Sequence, residues 1–115
     1  MWTIVLLDEV QSWLLTLDDK SYELVVAALD LLADEGPQLG RPLVDRIKGS
    51  SLQNLKELRP GSAGKTELRL LFVFDPKRNA VVLVGGDKSS NWTNWYVANI
   101  TIAEQRFFNY VKGLQ

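Results

Sequence analysis

The chain of 115 residues contains no cysteine and no histidine. Without cysteine it can form neither disulfide bonds nor thiolate nucleophiles, and the two absences together exclude zinc sites built from cysteine and histidine. Without histidine, neither a Ser-His-Asp triad nor imidazole acid–base catalysis is available. Any enzymatic chemistry must therefore use the side chains of arginine, lysine, glutamate, aspartate, tyrosine or serine.

Long apolar runs are also lacking. No run in the sequence approaches the roughly 18 residues that a membrane-spanning helix requires. The first ten residues, MWTIVLLDEV, include two acids and no basic residue, which differs from the pattern of a secretory signal peptide. We therefore expect a cytoplasmic protein that does not contact a membrane. The length predicts one domain over residues 1–115.

The charge is unevenly distributed, although the net charge is only −1. Residues 41–88 contain ten basic and five acidic residues, a net charge of +5, and the remainder carries −6. A basic middle segment could attract a polyanion such as RNA. Charge counts alone, however, favour an ordinary solvated surface.

Residue patterns predict the element order β-α-α-β-β-β-α. The apolar stretch WTIVLL is typical of a strand, and two amphipathic helices follow it. Asp8 is a candidate cap for the first helix, and Asp18 or Asp19 for the second, which should end near Gly36-Pro37. The segment QLGRPLVDRIKGSS then reads as a loop.

The second half should supply three strands and a helix. The strands are predicted at NLKELR, Thr66–Phe74 and Ala80–Val84, with the turn DPKRN joining the last two. From about Asn94 a helical face recurs every three or four residues, at Tyr96, Ile100, Ala103, Phe107, Tyr110 and Leu114. The predicted fold class is α+β, with a small antiparallel sheet, an N-terminal helical hairpin and a C-terminal helix.

A charged residue lies in the middle of the predicted strand TELRLLFVF. Side chains alternate across a strand, so the apolar set on one face should pack under the helices, while Arg69 points to the opposite, open side. If Leu58 is in the core, Glu57 and Arg59 share that open side. Lys88, just beyond the next strand, should lie close to the same surface.

Such a cluster suits phosphate. Arginine pairs bidentately with phosphate oxygens, and a lysine beside other cations can act as a proton donor or base. Alternatively, Glu57–Arg59 and Glu67–Arg69 are ion pairs in which each charge only neutralises the other and no ligand is bound. Residue spacing alone favours this alternative. Trp92, Trp95 and Tyr96 could stack on bases, although aromatic residues at a helix start are more often packing residues.

An ordered set of short motifs covers nearly the whole chain. They are Gly40-Arg41-Pro42, Glu57-Leu58-Arg59, Arg69 before two phenylalanines, Asp75-Pro76, Val81–Lys88 and Ala103-Glu104-Gln105-Arg106. With this set the chain resembles the RelE/HigB superfamily of bacterial toxins, specifically its phage-related HigB-like branch. The resemblance implies a RelE-like fold and a toxin of a type II toxin–antitoxin system. The sequence departs from the family pattern in two ways. The segment GGDKSSN replaces the usual double lysine and phenylalanine, and the chain is slightly acidic, whereas the toxins are commonly basic.

The family further implies an endoribonuclease that cleaves ribosome-bound mRNA by attack of the ribose 2′-hydroxyl on phosphate, without a metal or other cofactor. A helix-turn-helix antitoxin would neutralise it. By matching position, Arg59, Arg69 and Lys88 are the expected catalytic residues. We expect five further residues to contact RNA: Arg46, Lys48, Lys56, Glu57 and Trp92. The alternative is a degenerate, non-catalytic toxin-like module that binds the antitoxin and represses transcription with it.

Overall fold

The computed structural model of the protein describes residues 1–113. Its elements are β1 (Thr3–Leu6), α1 (Asp8–Leu14), α2 (Asp19–Glu35), β2 (Val44–Arg46), β3 (Lys56–Leu58), β4 (Leu68–Phe74), β5 (Asn79–Asp87) and α3 (Trp92–Val111). The α+β class and the order of the predicted elements are confirmed. The short strand β2 is added within the segment predicted as a loop, and the helical position predicted for Leu114 falls outside the described residues.

The strands form one five-stranded sheet in the order β1-β5-β4-β3-β2. Strand β1 runs parallel to β5, whereas the other neighbouring pairs are antiparallel. The sheet is therefore mixed rather than antiparallel throughout. A parallel neighbour requires a long connection, and here the intervening chain with α1 and α2 separates β1 from the meander that contains β5.

Local signals set the two N-terminal helices. The Asp18 carboxylate accepts a hydrogen bond of 2.8 Å from the Ser21 N–H and caps α2. Gly36 ends α2 with a positive φ of 61°, and a Cβ there would clash with the Trp2 indole. At α1 the N-cap is Leu7 rather than the predicted Asp8. Asp8 lies in the first turn instead, where its charge favours the helix dipole.

Two adjacent glycines of β5 let helices approach both faces of the sheet. A Cβ on Gly85 would collide with Trp13 of α1, and one on Gly86 would lie 2.7 Å from Trp95 Nε1 of α3. Consecutive strand residues point to opposite faces, so α1 and α3 cover opposite faces of β5. The face that the sequence suggested was open is thus covered by α3.

Burial along β4 reflects this double cover. As predicted, Leu68, Leu70 and Phe72 are buried, but Leu71 and Val73 on the other face are buried too. Arg69 on that second face is only 12% exposed. The prediction that Arg69 points to an open side is wrong because its own face alternates with apolar residues that α3 buries.

A β-bulge is tied to α3. The pairing of β4 with β5 shifts register between Leu71 and Phe72, which pair with Val84 and Val82, so Leu83 has no partner residue on β4. Arg106 Nη1 of α3 donates a hydrogen bond of 2.8 Å to the Leu83 carbonyl oxygen. This bond satisfies a carbonyl at the irregularity and holds α3 against the sheet.

No helix within residues 1–113 combines the length and apolar character needed to cross a bilayer.

Replacing Gly86 by alanine should destabilise the protein. The added methyl group meets the buried Trp95 ring, and overpacking of this kind costs about 1–3 kcal/mol in the free energy of unfolding. Gly40→Ala is the matched control, because a Cβ there has no atom within 4 Å and the backbone is not left-handed. Urea denaturation measures both variants. Equal midpoints would show that the glycine is not required for the approach of α3.

Candidate functional site

The face of the sheet under α3 gathers charged residues from separate segments. Glu57 of β3 lies opposite Leu71 of β4, and Arg69 lies opposite Gly86 of β5. Side chains two residues apart share a face, so Arg59 joins Glu57 on this side and Lys88 follows Gly86. The pairing of β3, β4 and β5 therefore brings the three predicted catalytic cations to one region.

A buried carboxylate lies between these cations. Glu57 is 3% exposed, and its Oε2 accepts hydrogen bonds from Arg59 Nε at 3.0 Å and Nη2 at 2.7 Å. Its Oε1 accepts a bond of 2.6 Å from the Tyr96 hydroxyl and lies 3.7 Å from Arg69 Nε. A buried charge is tolerated only when it is paired and hydrogen-bonded, and Glu57 meets both conditions.

Two hydrogen bonds hold the Arg69 guanidinium. Its Nη1 donates 2.8 Å to the Leu68 carbonyl, and its Nη2 donates 3.2 Å to Glu67 Oε1. Its Nε is buried without a hydrogen-bond partner among residues 1–113. The guanidinium is thus fixed in position but retains one unused donor that faces Glu57.

Arg59 is the more accessible arginine, with 34% of its side chain exposed. Besides Glu57 it contacts Asp45 of β2, where Nη2 lies 3.0 Å from Oδ2. The hydrogen bond to Glu57 is the main cause that raises the pKa of Arg59. Both ion pairs considered from the sequence, Glu57–Arg59 and Glu67–Arg69, are present. They form parts of one network, because Glu57 also lies within reach of Arg69.

Lys88 differs from the two arginines. It is 9% exposed, and its Nζ lies 4.5 Å from the ring centre of Trp92 and 5.1 Å from that of Tyr96. Within the described chain, no carboxylate is at ion-pair distance from Nζ and no side-chain hydrogen bond uses it. Asp87 is engaged elsewhere, since its Oδ1 accepts from the Glu67 and Ser89 N–H groups.

The surroundings of Lys88 change its proton affinity. Burial is the main cause that lowers its pKa, and the positive charges of Arg69 and Arg59 act in the same direction. The charges of Glu57 and Glu67 oppose the shift without cancelling it. Lys88 therefore releases its proton at a lower pH than an ordinary lysine does.

Tyr96 links the carboxylate to the lysine. Burial, followed by the hydrogen bond to Glu57, raises the pKa of Tyr96 to about 12. The hydroxyl therefore remains protonated and donates to Glu57 near neutral pH. The sequence suggested only stacking or packing for Tyr96. Its position four residues after Trp92 on a helix is the signal that places both rings on one side of α3.

A groove of about 410 Å³ adjoins the cluster on the side of Arg59. Nine residues line it: Arg41, Asp45, Arg46, Ile47, Lys48, Glu57, Arg59, Tyr96 and Ile100. Of the residues predicted to contact RNA, Lys48 and Glu57 are thus brought together here. Lys56 is not, because it alternates with Glu57 and points to the other face of the sheet. Arg46 also lines the groove, but it pairs with Lys56 and alternates with Asp45, so its side chain is directed to that other face. Trp92 is 56% exposed beside Lys88.

The loop that carries Lys48 is fastened to α3. Glu104 Oε2 accepts a hydrogen bond of 2.8 Å from the Ser50 hydroxyl and one of 2.7 Å from the Ser51 N–H. These bonds, the backbone bond first, lower the pKa of Glu104, so the carboxylate is ionised at neutral pH. The sequence did not single out Glu104 for this contact, which joins residues 53 positions apart.

Chemically, the cluster and the groove together favour an anionic, partly aromatic ligand.

The comparison with protein families identifies one matching model. Residues 12–108 match the family described as "Phage derived protein Gp49-like". Two relatives from Mycobacterium tuberculosis (strain ATCC 25618 / H37Rv) are named as candidate toxins. HigB2 is 50% identical over 100 residues, which are 87% of this chain and 50% of HigB2. HigB3 is 47% identical over 108 residues, which are 94% of this chain and 92% of HigB3. The chain therefore spans half the length of HigB2 and nearly all of HigB3.

A solved structure shares the fold. The archaeal RelE–RelB complex from Pyrococcus horikoshii OT3 matches with a TM-score of 0.55 at 17% identity, over 77% of this chain and 97% of that one. At this identity the likeness concerns the fold alone. The family match, the two relatives and this fold agree with one another, and the chain belongs to the Gp49-like family of RelE/HigB-type proteins.

Proposed function

We propose that this protein is the toxin of a type II toxin–antitoxin pair and acts as an endoribonuclease on mRNA. Two relatives that are about half identical to it are named as candidate toxins, and the RelE-like fold agrees with this role. The observation that carries the proposal is Lys88. It is a buried cation, has no carboxylate partner within residues 1–113, and lies on the same face as two arginines.

An unpaired buried ammonium is costly, so the fold must gain something by keeping it. The faces of Trp92 and Tyr96 offset part of the cost through cation–π contacts. The gain we infer is the lowered pKa of Lys88, which makes its neutral, proton-accepting amine available at a lower pH. Arg59 and Arg69 already form ion pairs with carboxylates, and these pairs fix their positions before a substrate binds.

The proposed reaction is transfer of the phosphate from the 5′-oxygen to the 2′-oxygen of the preceding ribose. The neutral Lys88 amine accepts the proton of the 2′-hydroxyl as that oxygen bonds to phosphorus. The bond from phosphorus to the 5′-oxygen then breaks, and Lys88 returns the proton to the leaving oxygen. The products are a 2′,3′-cyclic phosphate and a 5′-hydroxyl. No electrons are exchanged, and a metal is not part of this scheme.

The arginines stabilise the charge that develops on the phosphate oxygens. Arg69 acts through its fixed positive charge, because its Nε is buried against Glu57, and Arg59 is partly open to the groove. Glu57 accepts bonds on both oxygens, which makes it a poor base but a good anchor for the guanidinium groups. Tyr96 donates its hydroxyl hydrogen bond to Glu57, and its ring face contacts the Lys88 ammonium. This division of roles assigns proton transfer to Lys88 alone.

The groove would guide the flanking RNA. Lys48 is exposed along its wall and can meet the phosphate backbone, while Trp92 presents an indole next to Lys88 for base stacking. Lys56 has no part in this path. We further propose that ribosome-bound mRNA is the substrate, because a chain with a net charge of −1 gains little long-range attraction for free RNA. A helix-turn-helix antitoxin is the proposed partner.

A second candidate function rests on the carboxylates. Because Glu57, Glu67 and Asp45 neutralise the arginines, the protein could instead be a non-catalytic module that binds an antitoxin and represses transcription with it. Co-expression with the product of the adjacent gene separates the two functions. A stable complex with intact mRNA after induction of the protein alone selects the non-catalytic module, whereas growth arrest with new mRNA ends selects the nuclease.

The variant Lys88→Arg should bind RNA but fail to cleave it. Arginine keeps the positive charge but does not deprotonate, and loss of acid–base catalysis costs about 10²–10⁴-fold in rate. The wild-type rate should rise with pH and level off below the ordinary lysine range, since the neutral amine is the active form and its pKa is lowered. Single-turnover cleavage across pH, with Lys77→Arg as the exposed control, measures this. Cleavage by Lys88→Arg at the wild-type rate would contradict the role.

Trp92→Ala should weaken RNA binding, because stacking of one base on an aromatic ring contributes about 1–3 kcal/mol. Trp92→Phe should retain most of the affinity. Phe108→Ala is the matched control: Phe108 is equally exposed on the same helix, has Lys112 at 4.8 Å over its ring, and lies roughly 24 Å further along α3. Titration with a labelled, uncleavable 2′-O-methyl RNA gives the affinities. Equal losses for the two alanine variants would remove Trp92 from the RNA path.

A further inference from the structure

The groove contains an acidic residue that contacts two arginines at once. Asp45 of β2 bridges two arginines: its Oδ1 lies 3.2 Å from Arg41 Nε, and its Oδ2 lies 3.0 Å from Arg59 Nη2. Two oxygens of one anion that contact two guanidinium groups reproduce the way arginines grip phosphate. The hydrogen bond from the Arg46 N–H, and next that from Arg41, lowers the pKa of Asp45 and keeps it ionised at neutral pH.

The two carboxylates that hold Arg59 are not equivalent. Glu57 is buried and contacts Arg59 through Nε and Nη2, whereas the Asp45 side chain is 20% exposed and contacts Nη2 alone. Asp45 also belongs to a three-residue strand at the sheet edge. Removing Asp45 from its contact would therefore leave the Arg59 guanidinium oriented by Glu57, with its outer edge free to bind an anion.

The lining of the groove agrees with an anionic occupant. Three cations, Arg41, Lys48 and Arg59, line it together with two carboxylates, Asp45 and Glu57. Tyr96 and Ile100 add an apolar wall against which a sugar or base could pack. Lys88 is not among the residues that line this groove. An anion bound here would therefore be a different phosphate from the one next to Lys88, and Arg59 would lie between the two.

We propose that Arg41 and Arg59 form a second phosphate subsite, which binds a phosphate of single-stranded RNA flanking the cleaved bond, and that the Asp45 carboxylate occupies this subsite in the free protein. The proposal rests on the proposed function, since it names the RNA path beside the same cluster. Asp45 then competes with the incoming phosphate and sets the affinity for RNA. Its removal should strengthen RNA binding, contrary to the usual effect of breaking an ion pair.

The test is binding of a fluorescein-labelled 2′-O-methyl RNA, followed by fluorescence anisotropy over a range of KCl concentrations. Asp45→Asn should bind about fivefold more tightly, the effect of roughly 1 kcal/mol between charges about 4 Å apart in water. Arg41→Ala should bind more weakly. The negative slope of log K against log salt should become shallower by about 0.7, the value for one phosphate contact on a single strand. The controls change the charge by the same amount at exposed positions of α2. Asp30→Asn is the control for Asp45→Asn, and Lys20→Ala is the control for Arg41→Ala.

Circular dichroism and thermal denaturation establish that each variant is folded. Asp45→Asn binding no more tightly than Asp30→Asn, or an unchanged salt slope for Arg41→Ala, overturns the subsite. If the wild-type protein cleaves RNA while these variants behave like their controls, only the subsite fails. If the wild-type protein neither binds the 2′-O-methyl RNA nor cleaves an unmodified mRNA in the presence of ribosomes, the proposed function fails with it.

Discussion

The buried carboxylate of Glu57 is the contact on which the site depends. It lies between Arg59, Arg69 and Tyr96, and each of them is positioned by a bond to it or by close approach to it. Breaking a buried ion pair by removing one partner is far more costly than never forming it. The carboxylate therefore fixes the positions of cations that would otherwise repel each other on one face of a small sheet.

That arrangement is possible only because α3 covers the sheet at this end. Gly86 admits the Trp95 ring, and Arg106 fastens the helix to the bulge at Leu83. The same helix supplies Tyr96, which binds Glu57, and the aromatic faces that carry Lys88. Helix α3 thus both packs on the sheet and supplies residues of the candidate site. A change that loosens its packing would also disturb the cations between it and the sheet.

Much of the architecture could be predicted from local patterns. Strand alternation places Glu57, Arg59 and Arg69 on one face, and the cap of α2 at Asp18 is confirmed. The cover by α3 could not be predicted, since it depends on contacts between residues far apart in sequence. Strand β2 is too short to show an alternating pattern, so its residue Asp45 gave no sign that it bridges two arginines.

The end groups of cleaved RNA test the central claim most directly, because they report the chemistry at the phosphate rather than the effect of a substitution. Purified protein is incubated with a defined mRNA, with and without ribosomes, and the fragments are analysed by mass spectrometry. Attack by the 2′-hydroxyl predicts fragments that end in a 2′,3′-cyclic phosphate and begin with a 5′-hydroxyl. Fragments with a 5′-phosphate, or an intact message under both conditions, would contradict the account.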